Sequence, residues 1–330
     1  MKTCRFAAAI LACAASFLHA KEDPAARQLL DAALQQTRPY RTASRSYTLE
    51  SEFTIYEVVP IKGHYILKWK EPSHWWSKVE VEGFVQTTIR DGELEYTLRN
   101  QPVTPARVTD LFSLFSLDGK ITPLNLDKVK TTQNNGTEEI CLGAHRKEFK
   151  NLSEELCVDR TSHDLLKETF RPPHILGHSR HFGNYIEFNG RRYPHQLDLL
   201  INGVKVVSAN VTSLVSAPFD PALLVPPQGA IERRKCADMK PPAILKSAHP
   251  DYGSQGEHAG VFSRAVITAT VLADGSVSDV GISERGVDFM NEPSLKAVKQ
   301  FKFKPAMCGS DPIVSDAVIE MDFVPGQRQW

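Results

Sequence analysis

Six cysteines could carry chemistry, and four of them lie beyond the N-terminal segment: Cys141, Cys157, Cys236 and Cys308. In an exported chain, four cysteines predict two disulfides, with three possible connectivities. Proximity along the chain and the domain boundaries given below favour the pairs Cys141–Cys157 and Cys236–Cys308. A zinc site is the alternative, but the chain has no C-x-x-C pair, a spacing that commonly holds zinc. The cysteines therefore indicate structural disulfides.

Four histidines offer a second possible metal site: His174, His178, His181 and His195. The first two are four residues apart, a spacing that would place both rings on one face of a helix. The neighbouring Pro172-Pro173 and Gly177 predict a loop instead, and no carboxylate or cysteine spacing completes a zinc site. We therefore expect surface histidines and neither a metal nor another cofactor.

The sequence contains no recognisable catalytic motif, since G-x-S-x-G, the phosphate-binding P-loop and the dinucleotide fingerprint are all absent. Acidic residues are plentiful on predicted strand faces, but the sequence alone cannot pair them as a general acid and base. The 39 Lys+Arg residues balance 39 Asp+Glu residues, so no long-range field attracts nucleic acid. We expect a protein that is not an enzyme, has no catalytic residues and does not bind nucleic acid.

The N-terminus predicts export. A short basic stretch ends at Arg5, an apolar run extends from Phe6 to Leu18, and Ala20 offers a small residue for cleavage. This three-part layout is that of a secretory signal peptide. An uncleaved membrane anchor is the alternative, but it needs about 20 apolar residues, and this run has 13. We therefore predict a cleaved signal peptide at residues 1–20 and a mature protein in the periplasm.

The remaining length predicts two domains, since a domain usually holds about 100–200 residues. Prolines from Pro221 to Pro227 mark the close of the first domain, residues 21–227. Residues 228–239 are predicted to be a linker, and the Arg233-Arg234-Lys235 run within it a solvated basic patch. Residues 240–330 form the predicted second domain.

The first domain has the pattern of an antiparallel sheet with two helices. One helix is predicted after Asp23-Pro24, an N-cap followed by a first-turn proline. From Ser46 onward apolar residues alternate with polar ones, as in half-buried strands, and Asp91-Gly92 marks a hairpin turn. A second, strongly apolar helix is predicted at about 104–117, and strands resume from about 139 to 215.

This element order resembles the LolA/LolB-like superfamily of lipoprotein carriers, together with Gly63-His64-Tyr65-Ile66-Leu67-Lys68-Trp69, Arg90-Asp91-Gly92 and Phe219-Asp220. The resemblance implies a curved antiparallel sheet, a half-barrel, which wraps around helices and leaves an apolar cavity for a lipid or acyl chain. The candidate ligand-contacting residues are Trp69, Trp75, Trp76, Leu111, Phe112 and Phe115. The alternative is that the same side chains fill an ordinary core, where such residues are common.

The second domain has a sharper pattern. Residues 261–273 alternate in polarity, Asp274-Gly275 is a strong hairpin signal, and residues 277–282 form the return strand. A helix that carries Leu295, Val298 and Phe301 follows, and then a final strand at 313–323.

This order resembles the C-terminal domain of the TonB energy-transducer family, and so do the Asp274-Gly275 hairpin and the run Phe301-Lys302-Phe303-Lys304-Pro305-Ala306. The resemblance implies a β-β-α-β module whose sheet edge pairs with a peptide of an outer-membrane receptor. The implied partner-binding residues are Val314, Asp316, Val318 and Glu320 on the last strand, with Pro250 and Tyr252 upstream. The family's second proline after the tyrosine is missing, and packing of Tyr252 against the sheet is an equal alternative.

Together these patterns predict an α+β fold, with a curved antiparallel sheet and helices followed by the β-β-α-β module. The leading hypothesis is a non-catalytic periplasmic protein that binds an envelope partner by strand addition. Energy transduction is not expected, because the predicted signal is cleaved and no long proline-rich spacer follows it. The alternative hypothesis is a periplasmic carrier of lipid or lipoprotein that uses an apolar cavity in residues 21–227.

Overall fold

The computed structural model describes residues 24–36, 45–115, 124–134, 136–146, 149–171, 177–253, 260 and 262–324. The predicted signal peptide at residues 1–20 lies outside these ranges. Within them, no helix combines the length and the apolar character needed to cross a membrane.

Most of the described chain is antiparallel sheet. Two helices belong to its first part, α1 (Pro24–Gln36) and α2 (Ala106–Leu114). The strands of this part are β1 (Tyr47–Ile55), β2 (Ile61–Glu71), β3 (His74–Val81), β4 (Phe84–Asp91), β5 (Leu94–Arg99), β6 (Leu124–Asn134), β7 (Thr137–Arg146), β8 (Phe149–Asp159), β9 (Leu165–Arg171), β10 (His178–Phe188), β11 (Arg191–Ile201), β12 (Val204–Ser216) and β13 (Ile231–Arg234). A short 3-10 helix at Pro221–Leu224 precedes β13.

These thirteen strands form one open sheet in the order β13-β5-β4-β3-β2-β1-β12-β11-β10-β9-β8-β7-β6. Most neighbours are consecutive hairpins, and two junctions join distant parts of the chain: β1 pairs with β12, and β13 pairs with β5. Residues 231–234, within the predicted linker, are therefore an edge strand of the large sheet. The predicted domain boundaries otherwise stay a prediction.

The alternation in the sequence explains which face of the sheet is buried. Along β1, Leu49 and Phe53 are buried, whereas Glu52 between them is exposed. We call the face that carries the buried side chains of β1 to β3 the inner face. Helix α2 packs against it with Val108 and Leu111, while α1 packs over β7 and β8 in a separate core.

The C-terminal part consists of short ladders around one helix. Its elements are β14 (Ala243–Lys246), β15 (Ser263–Val271), β16 (Val277–Glu284), α3 (Asp288–Val298), β17 (Lys302–Lys304), β18 (Ala306–Cys308), β19 (Asp311–Ile313) and β20 (Ser315–Phe323). Three strands form a sheet in the order β16-β15-β20, and two separate pairs are β14-β17 and β18-β19. The inward side chains of β15 and β20 pack with α3 and the two phenylalanines that follow it, Phe301 and Phe303.

Both predicted disulfides are confirmed. Cys141 and Cys157 are direct cross-strand neighbours on β7 and β8, with 4.0 Å between their Cα atoms. Cys236 lies just beyond β13 and is joined to Cys308 at the end of β18, with 6.0 Å between the Cα atoms. The second disulfide therefore ties the edge of the large sheet to the C-terminal part.

The predicted α+β fold class is wrong, because strands dominate the described chain and the large sheet is a single open antiparallel one. The predicted β-β-α-β module is not found in that form. The strand after α3 is β17, which pairs with β14 upstream of the hairpin, and the β18–β19 hairpin intervenes before β20. Strands of three residues are too short to show a periodic pattern, so nothing in the sequence reveals them.

The expected solvated patch at Arg233-Arg234-Lys235 is also wrong for its first residue. Arg233 is only 5 % exposed, because the pairing of β13 with β5 turns its side chain toward the interior. Arg234 is exposed, and its guanidinium reaches Glu93 and Asp311. One member of the basic run is thus part of an internal site.

Candidate functional site

A cleft of about 450 Å³ lies between α2 and the inner face of the sheet, from β2 across β5 to β13. Strand β20 closes one side of it through Asp316. The lining residues are Tyr65, Trp75, Ser77, Gln86, Thr88, Glu95, Thr97, Arg99, Thr104, Thr109, Phe112, Ser113, Phe115, Arg233, Lys235 and Asp316. These residues are aromatic at one end of the cleft, polar and uncharged in the middle, and mostly basic at the other end.

The apolar end of the cleft is aromatic. Tyr65 on β2 stacks on Phe115 with 4.9 Å between the ring centroids, and it lies 6.0 Å from the ring of Phe112. Burial raises the pKa of the Tyr65 hydroxyl, and a hydrogen bond with Ser77 opposes this shift. Trp75 on β3 is buried beside them. This end can hold a hydrocarbon or aromatic group and keeps Tyr65 neutral at physiological pH.

The middle of the cleft is polar but uncharged. Across the ladders of β3, β4 and β5, Ser77 faces Thr88, and Thr88 faces Thr97. Gln86 donates a hydrogen bond from Nε2 to Thr88 Oγ1 at 3.1 Å and accepts one from Thr104 Oγ1 at 2.6 Å. Ser77, Gln86, Thr88 and Thr97 are on the inner face because they keep the two-residue period of the strands, and Thr104 reaches them from the segment before α2.

The far end of the cleft is basic. Arg99 on β5 lies opposite Gln86, and Arg233 on β13 lies opposite Glu95. Arg233 donates from Nη2 to Asp316 Oδ1 at 2.8 Å, and Lys235 Nζ lies 3.2 Å from Glu95 Oε1. Several guanidinium nitrogens at this end are buried and have no hydrogen-bond partner among the described residues: Arg99 Nη2, Arg233 Nε and Arg233 Nη1.

The pKa of Arg99 reflects its burial and the charges that lie near it. Burial lowers the pKa of its guanidinium, and the positive charge of Arg233 lowers it further. The carboxylates of Asp316 and Asp279 act in the opposite direction. Two cations held together at the buried end of a cleft form a site that attracts an anion.

The six candidate ligand-contacting residues do not share one position. Trp75, Phe112 and Phe115 line the cleft, whereas Trp69 and Leu111 belong to the core beneath it. Trp76 lies on the opposite face of β3, where Lys68 Nζ is 5.8 Å from its ring centroid. The polar and basic lining residues were not among the candidates, although the period of β4 and β5 places Thr88, Thr97 and Arg99 on the face of Ser77.

Of the predicted partner-binding residues, Asp316 lines the cleft and the others do not. Tyr252 packs edge-to-face on Phe289 and Phe323, and Pro250 is partly buried just before it. Val314 directly precedes β20, whose partner among the described strands is β15. On β20, Glu320 forms an ion pair with Arg264 at 2.7 Å, and Val318 is 67 % exposed.

The histidines are dispersed among the described residues. His178 and His181 lie on β10 and His195 on β11, while His174 is outside the described ranges. Burial lowers the pKa of His181. Within the described ranges, the three potential metal ligands closest together are Glu139, Cys141 and Cys157, and both sulfurs are in the disulfide.

A second depression, of about 710 Å³, lies at the ends of β1, β2 and β3. Polar and charged side chains form most of its lining, among them Glu52, Lys62, Glu80 and Glu82. Such a surface is unsuited to an apolar ligand, so the cleft under α2 is the better candidate site.

No protein-family model and no curated protein matches this chain. Among solved structures, the LolA superfamily protein NE2245 from Nitrosomonas europaea is similar, with 10 % identity, coverage of 61 % of this chain and 97 % of that chain, and a TM-score of 0.43. A putative outer membrane lipoprotein-sorting protein domain from Vibrio parahaemolyticus has 10 % identity, coverage of 59 % and 94 %, and a TM-score of 0.40. The Pseudomonas aeruginosa MucA/MucB complex has 10 % identity, coverage of 90 % of this chain and 93 % of that chain, and a TM-score of 0.28.

LolA-superfamily proteins, one of the two families that the sequence resembles, are thus among the similar structures. None of these three is described as a TonB protein. Because all three TM-scores are under 0.5, we draw no functional conclusion from them.

Proposed function

We propose that this protein binds a lipid-like molecule in the cleft under α2 and serves as a carrier or binding protein in the cell envelope, without catalysing a reaction. The observation that supports this most is the cleft itself, which offers an aromatic end and a polar end within about 450 Å³. Small-molecule sites commonly have volumes of about 300–1,000 Å³ and a largely apolar lining with a few placed polar groups.

The aromatic end supports binding of an apolar chain. Phe112 remains partly exposed to the cleft, although it belongs to the apolar face of α2. Phe115 and Tyr65 form a stacked pair beside it, and such a pair gives a hydrocarbon chain a flat wall to pack on. A chain of roughly ten carbons that enters the cleft would cover this apolar surface. Each Å² removed from water would stabilise the complex by about 25 cal/mol.

Location in the periplasm is part of the proposal. Two disulfides fit an oxidising compartment, and the N-terminal sequence has the layout of a signal peptide. Mass measurement of the protein secreted to the envelope tests both points, because cleavage after Ala20 and four oxidised cysteines give one expected mass.

A neutral fluorescent probe tests binding in the cleft. We expect N-phenyl-1-naphthylamine to bind the mature protein saturably, with a rise in its emission. Ser113→Trp, on the wall formed by α2, would fill the cleft and weaken this binding at least about tenfold, as loss of most of an apolar site implies. Ser310→Trp, at the exposed β18–β19 turn, is the matched control and should leave binding unchanged. Equal binding by both variants would contradict the proposal.

A second candidate function is binding of an envelope protein along β20. It is favoured by the position of β20 at the edge of its sheet and by the exposure of Val318 there. A photo-cross-linking amino acid at position 318 tests it in cells. Position 204 is the control, because Val204 is also 67 % exposed but lies at the β11–β12 turn. A protein adduct formed at 318 and not at 204 would support this candidate, and no such adduct would remove it.

A further inference from the structure

We propose that Arg99 and Arg233 bind the anionic headgroup of the ligand, a carboxylate or a phosphate, while its apolar chain lies against Tyr65, Phe112 and Phe115. This inference rests on the proposed function and names the ligand class, a single-chain amphiphile with a negative headgroup.

The first support is the unused hydrogen-bonding capacity of Arg233. Its side chain is 5 % exposed, and Asp316 occupies only Nη2 at 2.8 Å. Nε and Nη1 are buried without a partner among the described residues. A buried N–H group without a partner costs free energy, and the cost is larger for a charged group. An incoming oxyanion would satisfy these donors.

The second support is the position of Arg99. It makes no ion pair with a described residue, and its Nη2 is buried without a partner. Burial and the nearby charge of Arg233 both lower the pKa of its guanidinium. The positive charge of Arg233 therefore disfavours that of Arg99, and an anion between the two side chains would relieve this repulsion.

The contact between the two parts of the chain does not account for these donors. That contact uses Arg233 Nη2 with Asp316 and Thr270, Arg234 with Asp311, and Arg107 with Glu284. Lys235 is already paired with Glu95. Arg99 and Arg233 both line the cleft, at the end opposite the aromatic rings, so the charges fix which way an amphiphile would lie.

The chemistry of guanidinium selects the headgroup. The unpartnered N–H donors of Arg99 and Arg233 match the several charged oxygens of a carboxylate or phosphate, which a neutral alcohol does not offer. The threonines and Gln86 between the two ends could accept or donate single hydrogen bonds to an ester or glycerol group. The shared requirement is one anionic group at the end of one apolar chain.

The test is displacement of N-phenyl-1-naphthylamine from the full mature protein by decanoate, decyl phosphate and decanol. For the wild-type protein we expect the anions to displace the probe at concentrations about tenfold lower than decanol, the effect of a hydrogen bond to a charged group. Arg99→Gln should abolish this advantage without changing displacement by decanol. Arg160→Gln removes the same charge from the β8–β9 turn and should change nothing.

Two further variants keep the test decisive. Asp316→Asn removes the competing carboxylate, so displacement by the anions should become more effective. Arg233→Gln should weaken it, and if that variant does not fold, Arg99→Gln alone decides. Equal displacement by decanol and the anions in the wild type would overturn the inference and leave the proposed function intact. No probe binding at all would overturn both. The decanoate and decyl phosphate arms show which oxyanion is preferred.

Discussion

Arg233 and Asp316 lie 83 positions apart in the chain and are joined by a hydrogen-bonded ion pair of 2.8 Å. Arg233 belongs to the edge of the large sheet and Asp316 to β20, so this pair connects the two parts of the chain. The exposed fraction of the Asp316 side chain is 38 %, whereas that of Arg233 is 5 %. The pair is therefore buried from one side only.

Asp316→Ala should lower the free energy of unfolding by about 1–3 kcal/mol, because it leaves a buried guanidinium without its acceptor. The measurement is urea unfolding followed by circular dichroism. Arg233→Met combined with Asp316→Ala should cost less than the sum of the two single changes, since the double variant buries no unpaired charge. Additive costs would show that the two side chains are not coupled.

The two disulfides should contribute unequally to stability. The loop closed by Cys236–Cys308 has a sequence separation of 72 and that closed by Cys141–Cys157 one of 16. On the chain-entropy model these correspond to roughly 4 and 3 kcal/mol. Replacing both cysteines of a pair with alanine and measuring the urea midpoint compares them directly. A larger loss for the Cys141–Cys157 pair would show that packing of the two buried sulfurs outweighs loop entropy.

Gly275 should be the least replaceable of the turn glycines that have φ near 80°. Its φ is +80°, and an added Cβ would lie 2.0 Å from the Phe303 carbonyl oxygen. Gly203 has the same φ with nothing within 4 Å. Gly203→Ala should therefore cost only the backbone strain of about 1 kcal/mol, and Gly275→Ala clearly more. Equal melting temperatures for the two variants would contradict the close contact between Gly275 and Phe303.

Asp159 should make stability depend on pH in the acid range. Backbone N–H groups of Ser162 and Thr161 donate to its carboxylate at 2.7 Å, and the Ser162 bond is the main cause of its lowered pKa. A carboxyl group with a lower pKa in the folded state adds stability above the unfolded value of about 3.9. That stability disappears as the pH falls through the folded value.

Asp159→Asn keeps an acceptor oxygen but removes the charge. The wild-type protein should be more stable than this variant at pH 6, and the difference should shrink toward pH 3. Urea midpoints at several pH values measure it. A difference that stays constant with pH would mean that the carboxylate charge plays no part in the turn.

Local patterns were sufficient to predict most strands of the large sheet. Leu49 and Phe53 illustrate this, because the alternation sends both to the inner face. The same alternation separates Trp75 from Trp76, although both were expected to contact the ligand. The two disulfides were also predictable from compartment and chain proximity. A long strand repeats the alternation of apolar and polar residues several times, so its own sequence identifies it without knowledge of the strands with which it pairs.

Pairing between distant segments was not predictable. Arg233, Arg234 and Lys235 are three adjacent cations, and nothing local distinguishes the one that becomes buried. Only the ladder between β13 and β5 turns Arg233 inward. The basic end of the cleft is therefore created by contacts from three separate parts of the chain, which a one-dimensional pattern cannot bring together.

The disulfide beside β13 has a consequence for how the cleft recovers after it opens. The β13–β5 ladder has four residue pairs, from Ile231–Thr97 to Arg234–Leu94, and so short an edge strand frays readily. Cys236 anchors the strand two residues past its end to Cys308. When β13 frays, the disulfide keeps it close to β5, so that pairing again costs little conformational entropy. If β13 separates from β5, the wall of the cleft that carries Arg233 therefore re-forms without a search by the rest of the chain.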